Sequence, residues 1–124
     1  MAFWLSLILF VCQGVQFSTG HRYLLGEPNN IGFALVNKHL EFQKDGFAVA
    51  EFYVKKDHER NGYGREMANY LFSEYLGNWE VSVAANNNSA MLFWERVLSV
   101  YTNGNYIKKL NSTGTKYGFL FNNA

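Results

Sequence analysis

The hydrophobic period of this chain changes at Gly62, and the change limits the folds open to it. Ahead of it, "FAVAEFYV" (Phe47–Val54) is apolar apart from Glu51 and rich in β-branched and aromatic residues. Such a run predicts a central strand covered on both faces. Beyond Gly62, the residues Met67, Tyr70, Leu71, Phe72 and Tyr75 recur at three- and four-residue steps, which predicts the buried stripe of a helix ending near Gly77. In "WEVSVAA", Trp79, Val81 and Val83 alternate with Glu80 and Ser82, the pattern of a strand with one buried face. A strand–helix–strand passage of this kind is parallel, with a right-handed crossover.

The flanking segments predict antiparallel strands. "RYLL" and "IGFALV" surround "GEPNN", which holds the only proline, and read as a hairpin. "NNNSAMLFWERVLSVY" opens on asparagines or Ser89 able to cap a helix and carries Met91, Trp94, Val97, Leu98 and Tyr101 on one stripe. "TNG" stops that helix, and "NYIKKL" and "KYGFLFNN" form a closing hairpin around "NSTGT". The expected fold is mixed α/β (α+β): a single mixed sheet with a central parallel β-α-β unit and helices on its faces.

The 124 residues suit one domain, with a 48% hydrophobic and 17% charged composition that excludes a disordered chain. A net charge of +1 argues against a nucleic-acid partner. The lone cysteine, Cys12, allows no internal disulfide, and His21, His39 and His58 are too scattered for a zinc site, so no metal is expected. A reducing, cytoplasmic setting fits this cysteine usage. The run Ala2–Cys12 is apolar except for Ser6, too short for a membrane span and similar in length to the core of a secretory signal, although no Lys or Arg precedes it. Residues 1–21 are therefore set apart as an apolar N-terminal segment ahead of a domain at 22–124.

"HERNGYGRE" raises the chemical question. A strand feeding a helix leaves the first helical N–H groups unpaired, at a point where the helix dipole favours anions. Gly62 and Gly64 would let a phosphate approach there, with Arg60 and Arg65 adding charge. The same glycines would equally serve a tight turn alone. Neither a Walker-type lysine nor the third glycine of a dinucleotide fingerprint is present, since Met67 occupies that spacing.

The order of these elements resembles the GNAT superfamily of acyl-CoA-dependent N-acetyltransferases. Glu59-Arg60-Asn61-Gly62-Tyr63-Gly64 is similar to its Arg/Gln-x-x-Gly-x-Gly/Ala motif at both glycines. Asn87-x-x-Ala90-x-x-Phe93-Trp94 is similar to its Asn-x-x-Ala-x-x-Phe-Tyr. "GFALV", "AEFYV" and "WEV…FW" look like a bacterial subgroup of largely uncharacterised members. The resemblance implies that the amides of Asn61, Gly62, Tyr63, Gly64 and Arg65 hold the pyrophosphate of acetyl-CoA, as co-substrate. It also implies that strands ending near Val54 and Ala84 splay to admit the pantetheine arm, that an amide near Val54 polarises the thioester carbonyl, and that Asn87 contacts the coenzyme.

Glu59 stands where the family has Arg or Gln, and Trp94 where it often has the tyrosine that protonates the departing thiolate. An indole N–H does not serve as that acid, and Tyr101 or Tyr63 is the substitute to consider. Trp94 has a second reading as plain core. Glu51 is a candidate general base for the amine or a carboxylate on a solvated face. The family begins with a strand and two helices that build much of its acceptor site, whereas about 20 mostly apolar residues stand here. The resulting expectation is an acetyltransferase acting on an amine by direct attack. The alternatives are a truncated, non-catalytic acyl-CoA-binding remnant, dimeric through its apolar N-terminus, and a small secreted binding module.

Overall fold

The computed structural model describes residues 11–17, 20–25, 32–55 and 62–124. They form β1 (Val11–Phe17), β2 (Gly20–Leu25), β3 (Gly32–Asn37), β4 (Phe47–Val54), α1 (Tyr63–Glu74), β5 (Asn78–Ala84), α2 (Asn88–Tyr101), β6 (Ile107–Leu110) and β7 (Lys116–Asn122). The seven strands make one sheet in the order β1-β2-β3-β4-β5-β7-β6. The β4–β5 pair is parallel and every other pair is antiparallel. The first described strand thus lies inside the segment set apart at 1–21, while residues 1–10 lie outside the described residues. Only two residues separate β1 from β2, so no helix lies between them.

Both helices pack on the same face of the sheet. β5 lies to one side of β4 and β6 lies further to that side, so two right-handed crossovers in succession return to one face. Phe72 of α1 joins the layers: its ring meets Trp79 and Phe121 of the sheet at 5.0 and 4.9 Å and Tyr101 of α2 at 5.1 Å. Phe72, Met67, Leu71 and Leu98 are fully buried, as the three- and four-residue spacing predicts. α1 ends at Glu74, short of Gly77, because Tyr75 is already extended at φ −136°. α2 ends at "TNG", where Asn103 and Gly104 take positive φ and the Gly104 N–H donates to the Ser99 carbonyl.

The opposite face departs from the sequence pattern at two points. The alternation of β5 places Glu80 outward, yet it is 2% exposed. A strap of residues 38–46 crosses the back of β5 and β7, and the Glu80 carboxylate accepts from the backbone N–H groups of Glu41 (2.6 Å) and Phe42 (3.2 Å). The Phe42 ring lies over Gly118, where a Cβ would overlap it, and Gln43 Nε2 donates to the Trp79 carbonyl at 3.0 Å. Glu80→Ala is expected to cost about 2–3 kcal/mol in urea unfolding, since two part-buried amides lose a charged acceptor. Faster hydrogen exchange at Glu41 and Phe42 would accompany the loss. An unchanged midpoint would show that the strap holds without the carboxylate.

The second departure is in β4. Its apolar run predicts cover on both sides, but Ala50, Glu51 and Tyr53 are exposed. A bulge accounts for this: Val36 faces Val49 and Leu35 faces Glu51, leaving Ala50 as an extra residue. Strict alternation would put Glu51 on the same side as Val49, in the core. The bulge instead places it beside Leu35 on the back of the sheet and returns Phe52 to the helix side opposite Ala34.

Candidate functional site

The parallel pairing between β4 and β5 stops at Val49↔Val81. Each strand nevertheless keeps its outer partner, β4 with β3 as far as Gly32↔Val54 and β5 with β7 as far as Ala84↔Lys116. The two strands therefore diverge from Ala50 and Ser82 onward. Their facing edges carry backbone N–H and C=O groups that no neighbouring strand takes up, groups that normally find partners. The bulge at Ala50, which bends and twists its strand, stands where the divergence begins.

Two neighbouring clefts occupy this gap. A slot of about 180 Å³ lies between the diverging strands, lined by Val49–Phe52, Val81–Ala84, Asn87, Ala90 and Trp94. It reaches Trp94 on the helix side and the exposed Glu51, Ser82 and Ala84 on the back. A wider cleft of about 350 Å³ adjoins it on the helix side, lined by Phe52, Tyr53, Val54, Gly64, Ser89, Ala90, Phe93 and Trp94. Phe52, Ala90 and Trp94 line both.

Gly62 and Gly64 bring the start of α1 to this opening in different ways. Gly62 is the N-cap in a left-handed conformation (φ 79°, ψ 2°), and its carbonyl accepts the Glu66 N–H at 3.1 Å. An L side chain pays about 1–2 kcal/mol for that conformation. Gly64 has an ordinary φ but no room: a Cβ there would stand 2.9 Å from Phe93 Cε1 and 3.5 Å from Val54 Cγ2. Its bareness lets α1 approach α2 and the end of β4. Among the described residues, no acceptor meets the Gly64 and Arg65 N–H groups, as first-turn geometry dictates. Arg65 Nη2 comes within 3.6 Å of where a Gly62 Cβ would sit, so the guanidinium covers the turn.

The sequence matches the family described as Acetyltransferase (GNAT) family over residues 12–99. The chain belongs to the GNAT acetyltransferases. Its fold is also similar to that of the ribosomal-protein-S18-alanine N-acetyltransferase from Escherichia coli, with a TM-score of 0.55 at 16% identity, covering 85% of this chain and 68% of that one. No curated protein sequence matches it.

Of the site residues expected in this GNAT domain, the structure gathers Val54 and Gly64 at the wider cleft and Glu51 and Asn87 at the slot. Gly62, Tyr63 and Arg65 stand at the adjoining turn. Arg60 and Asn61, with Glu59, lie outside the described residues. Asn87 is the N-cap of α2, its side-chain oxygen accepting the Ala90 N–H at 3.1 Å, which leaves its amide NH₂ as the group to offer a ligand. Tyr101 is not brought to the clefts. It sits two turns beyond Trp94, about 10 Å along the helix. Its ring packs on Phe72 and Phe121, and its hydroxyl accepts from Asn123 Nδ2 at 3.1 Å.

Phe52 and Phe93 line the clefts beyond what their apolar character predicts. Phe52 packs against Phe93 at 5.5 Å with the rings tilted and against Trp94 at 4.8 Å edge to face, while also walling both cavities. The signal that could have marked Phe93 was its place in the Asn87–Trp94 motif. Among the described residues no group of three or more His, Cys, Asp or Glu could hold a metal, and no helix is long and apolar enough to cross a membrane.

Proposed function

We propose that this domain transfers the acetyl group of acetyl-CoA to an amine by direct attack, with Glu51 as the proton acceptor. The observation that carries the reading is the divergence of β4 from β5, which opens a slot between the two faces of the sheet. A pantetheine arm is an apolar chain with two amides, and the clefts offer Val, Ala and aromatic walls together with unpaired strand-edge groups. The turn at Gly62–Arg65 offers amide donors and a guanidinium to phosphates at a helix start.

With the arm on the helix side, the acceptor approaches from the back of the sheet, where Glu51 is exposed. The amine lone pair attacks the thioester carbonyl carbon, a backbone N–H near Val54 holds the developing oxyanion, and the carbon–sulfur bond breaks with its electron pair left on sulfur. Glu51 takes the proton released by the nitrogen, directly or through one water. The lone cysteine of the chain suits a reducing, cytoplasmic setting. Thiol release from acetyl-CoA over a panel of small amines and peptide N-termini tests the transfer. Release that depends on an amine supports it. Coenzyme binding without release under any amine would instead make the domain a non-catalytic acyl-CoA carrier.

A further inference from the structure

The bulge at Ala50 turns a second side chain outward besides Glu51. It resets the alternation of β4, so Tyr53 emerges on the back of the sheet with Glu51, about 7 Å farther along the strand. Strict alternation from the buried Val49 would send both inward. The register pairs Glu51 with Leu35 and Tyr53 with Phe33, and directly paired residues share a face. The Phe33 and Tyr53 rings meet at 5.7 Å, tilted by 37°. Phe33 and Leu35 are half-buried, whereas Tyr53 is 49% exposed. A single exposed tyrosine on a strand is ordinary. This one belongs to an apolar patch of Phe33, Leu35 and Tyr53 with a carboxylate at its side. The patch also reaches the opening between the strands, since Glu51 borders the slot and Tyr53 borders the wider cleft.

From this we infer that the Phe33–Tyr53 pair determines acceptor specificity, and that the acceptor is a primary amine with an aromatic ring a short tether from its nitrogen. The inference rests on the transfer reading above, which places the amine at Glu51. Near neutral pH such an amine arrives as an ammonium ion, to which the Glu51 carboxylate is complementary. A nitrogen at the carboxylate and a ring on Tyr53 are separated by roughly the two-residue repeat of a strand, about 7 Å, which a tether of about two or three carbons spans. Ring on ring removes apolar area of both partners from water and adds the tilted contact that aromatic pairs favour. An amine without the ring meets the same carboxylate and leaves Tyr53 in water. The ring contact is made before the reaction and persists through it, so its loss raises KM and leaves turnover nearly unchanged.

The test compares thiol release from acetyl-CoA with 2-phenylethylamine and with propylamine. Wild type is expected to favour 2-phenylethylamine by about tenfold in kcat/KM, the low end of apolar discrimination because the ring pair is half open to water. Tyr53→Ser should bring the two amines together, chiefly by raising KM for 2-phenylethylamine, while Tyr53→Phe keeps the ring and should keep the preference. Equal use of the two amines by wild type, or a preference that survives in Tyr53→Ser, would overturn the inference and leave the transfer reading intact. Release with no amine would overturn both. Should Tyr53→Ser fold poorly, wild type decides alone: 2-phenylethylamine should shift the Tyr53 ring proton resonances and propylamine should leave them in place. Ring resonances unmoved by either amine would refute the specificity role.

Discussion

Glu51→Gln is expected to lower the turnover of acetyl transfer by roughly 10²–10⁴-fold, the usual contribution of a positioned base. Acetyl-CoA affinity should stay within about twofold, because the change removes an interaction made in the reaction and not in coenzyme binding. Three observations lead to this expectation. The bulge at Ala50 turns Glu51 away from the core, the residue lines the slot between the strands, and it is exposed on the back of the sheet. The isosteric amide preserves shape and removes the ability to take a proton. A carboxylate that merely decorates a solvated face would leave turnover unchanged in steady-state assays, which is the contrary result.

Gly64→Val should reduce acetyl-CoA affinity by about 100-fold or more, at a cost in stability of about 1–3 kcal/mol. The added Cβ meets Phe93 at 2.9 and 3.1 Å and Val54 at 3.5 Å, so the Phe93 ring must move into the wider cleft it lines or α1 must lift away. Gly62→Ala provides the contrast. Its Cβ has space, with only Arg65 Nη2 at 3.6 Å, and its cost is the positive φ, about 1–2 kcal/mol. Calorimetric titration and thermal melts of the two variants separate blockage from strain. Equal losses of affinity at matched stability would show that the glycines serve the turn alone.

The glycine pair illustrates how much of the site was legible. The sequence places a bare turn between strand and helix, and the structure has one. The sequence does not show that Gly62 is required by its φ while Gly64 is required by a ring 29 residues farther on. Local periodicity fixed the stripes of both helices, the β2–β3 hairpin and the inward side of β5, because those patterns depend on neighbours three, four or two residues away. Glu80 was misplaced for the complementary reason. Its cover is a strap 38 residues earlier in the chain, and alternation carries no information about what crosses the back of a strand.

The bulge at Ala50 was equally hidden. "AVAEF" contains neither glycine nor proline, and the extra residue is visible only in the register against β3. That register sets the side of the sheet on which Glu51 emerges. Tyr101 shows the limit of a stripe: the period puts it correctly on the inner side of α2, but periodicity does not give distance along the axis. Its hydroxyl is engaged by Asn123, whose amide also donates to the Phe72 carbonyl at 2.7 Å and whose oxygen accepts the Gly77 N–H at 2.8 Å. Tyr101 thus helps fasten the end of α1.

The back of the sheet has a functional consequence. With only two residues between β1 and β2, the pair of helices that the family resemblance placed near the acceptor is missing from that connection. The strap held by Glu80 covers β5 and β7, while Ala50, Glu51 and Tyr53 of β4 remain exposed. In the proposed reaction an acceptor arriving there would meet the Glu51 carboxylate and the exposed strand residues around it.

Thermal unfolding with and without acetyl-CoA tests the central claim most directly, because a ligand that binds only the folded state must raise its stability. At a concentration about 100 times the dissociation constant the gain is about 2.7 kcal/mol, a shift of several degrees for a domain of this size. The account predicts that shift with acetyl-CoA and its loss in Gly64→Val. A melting temperature unmoved by millimolar acetyl-CoA would contradict it.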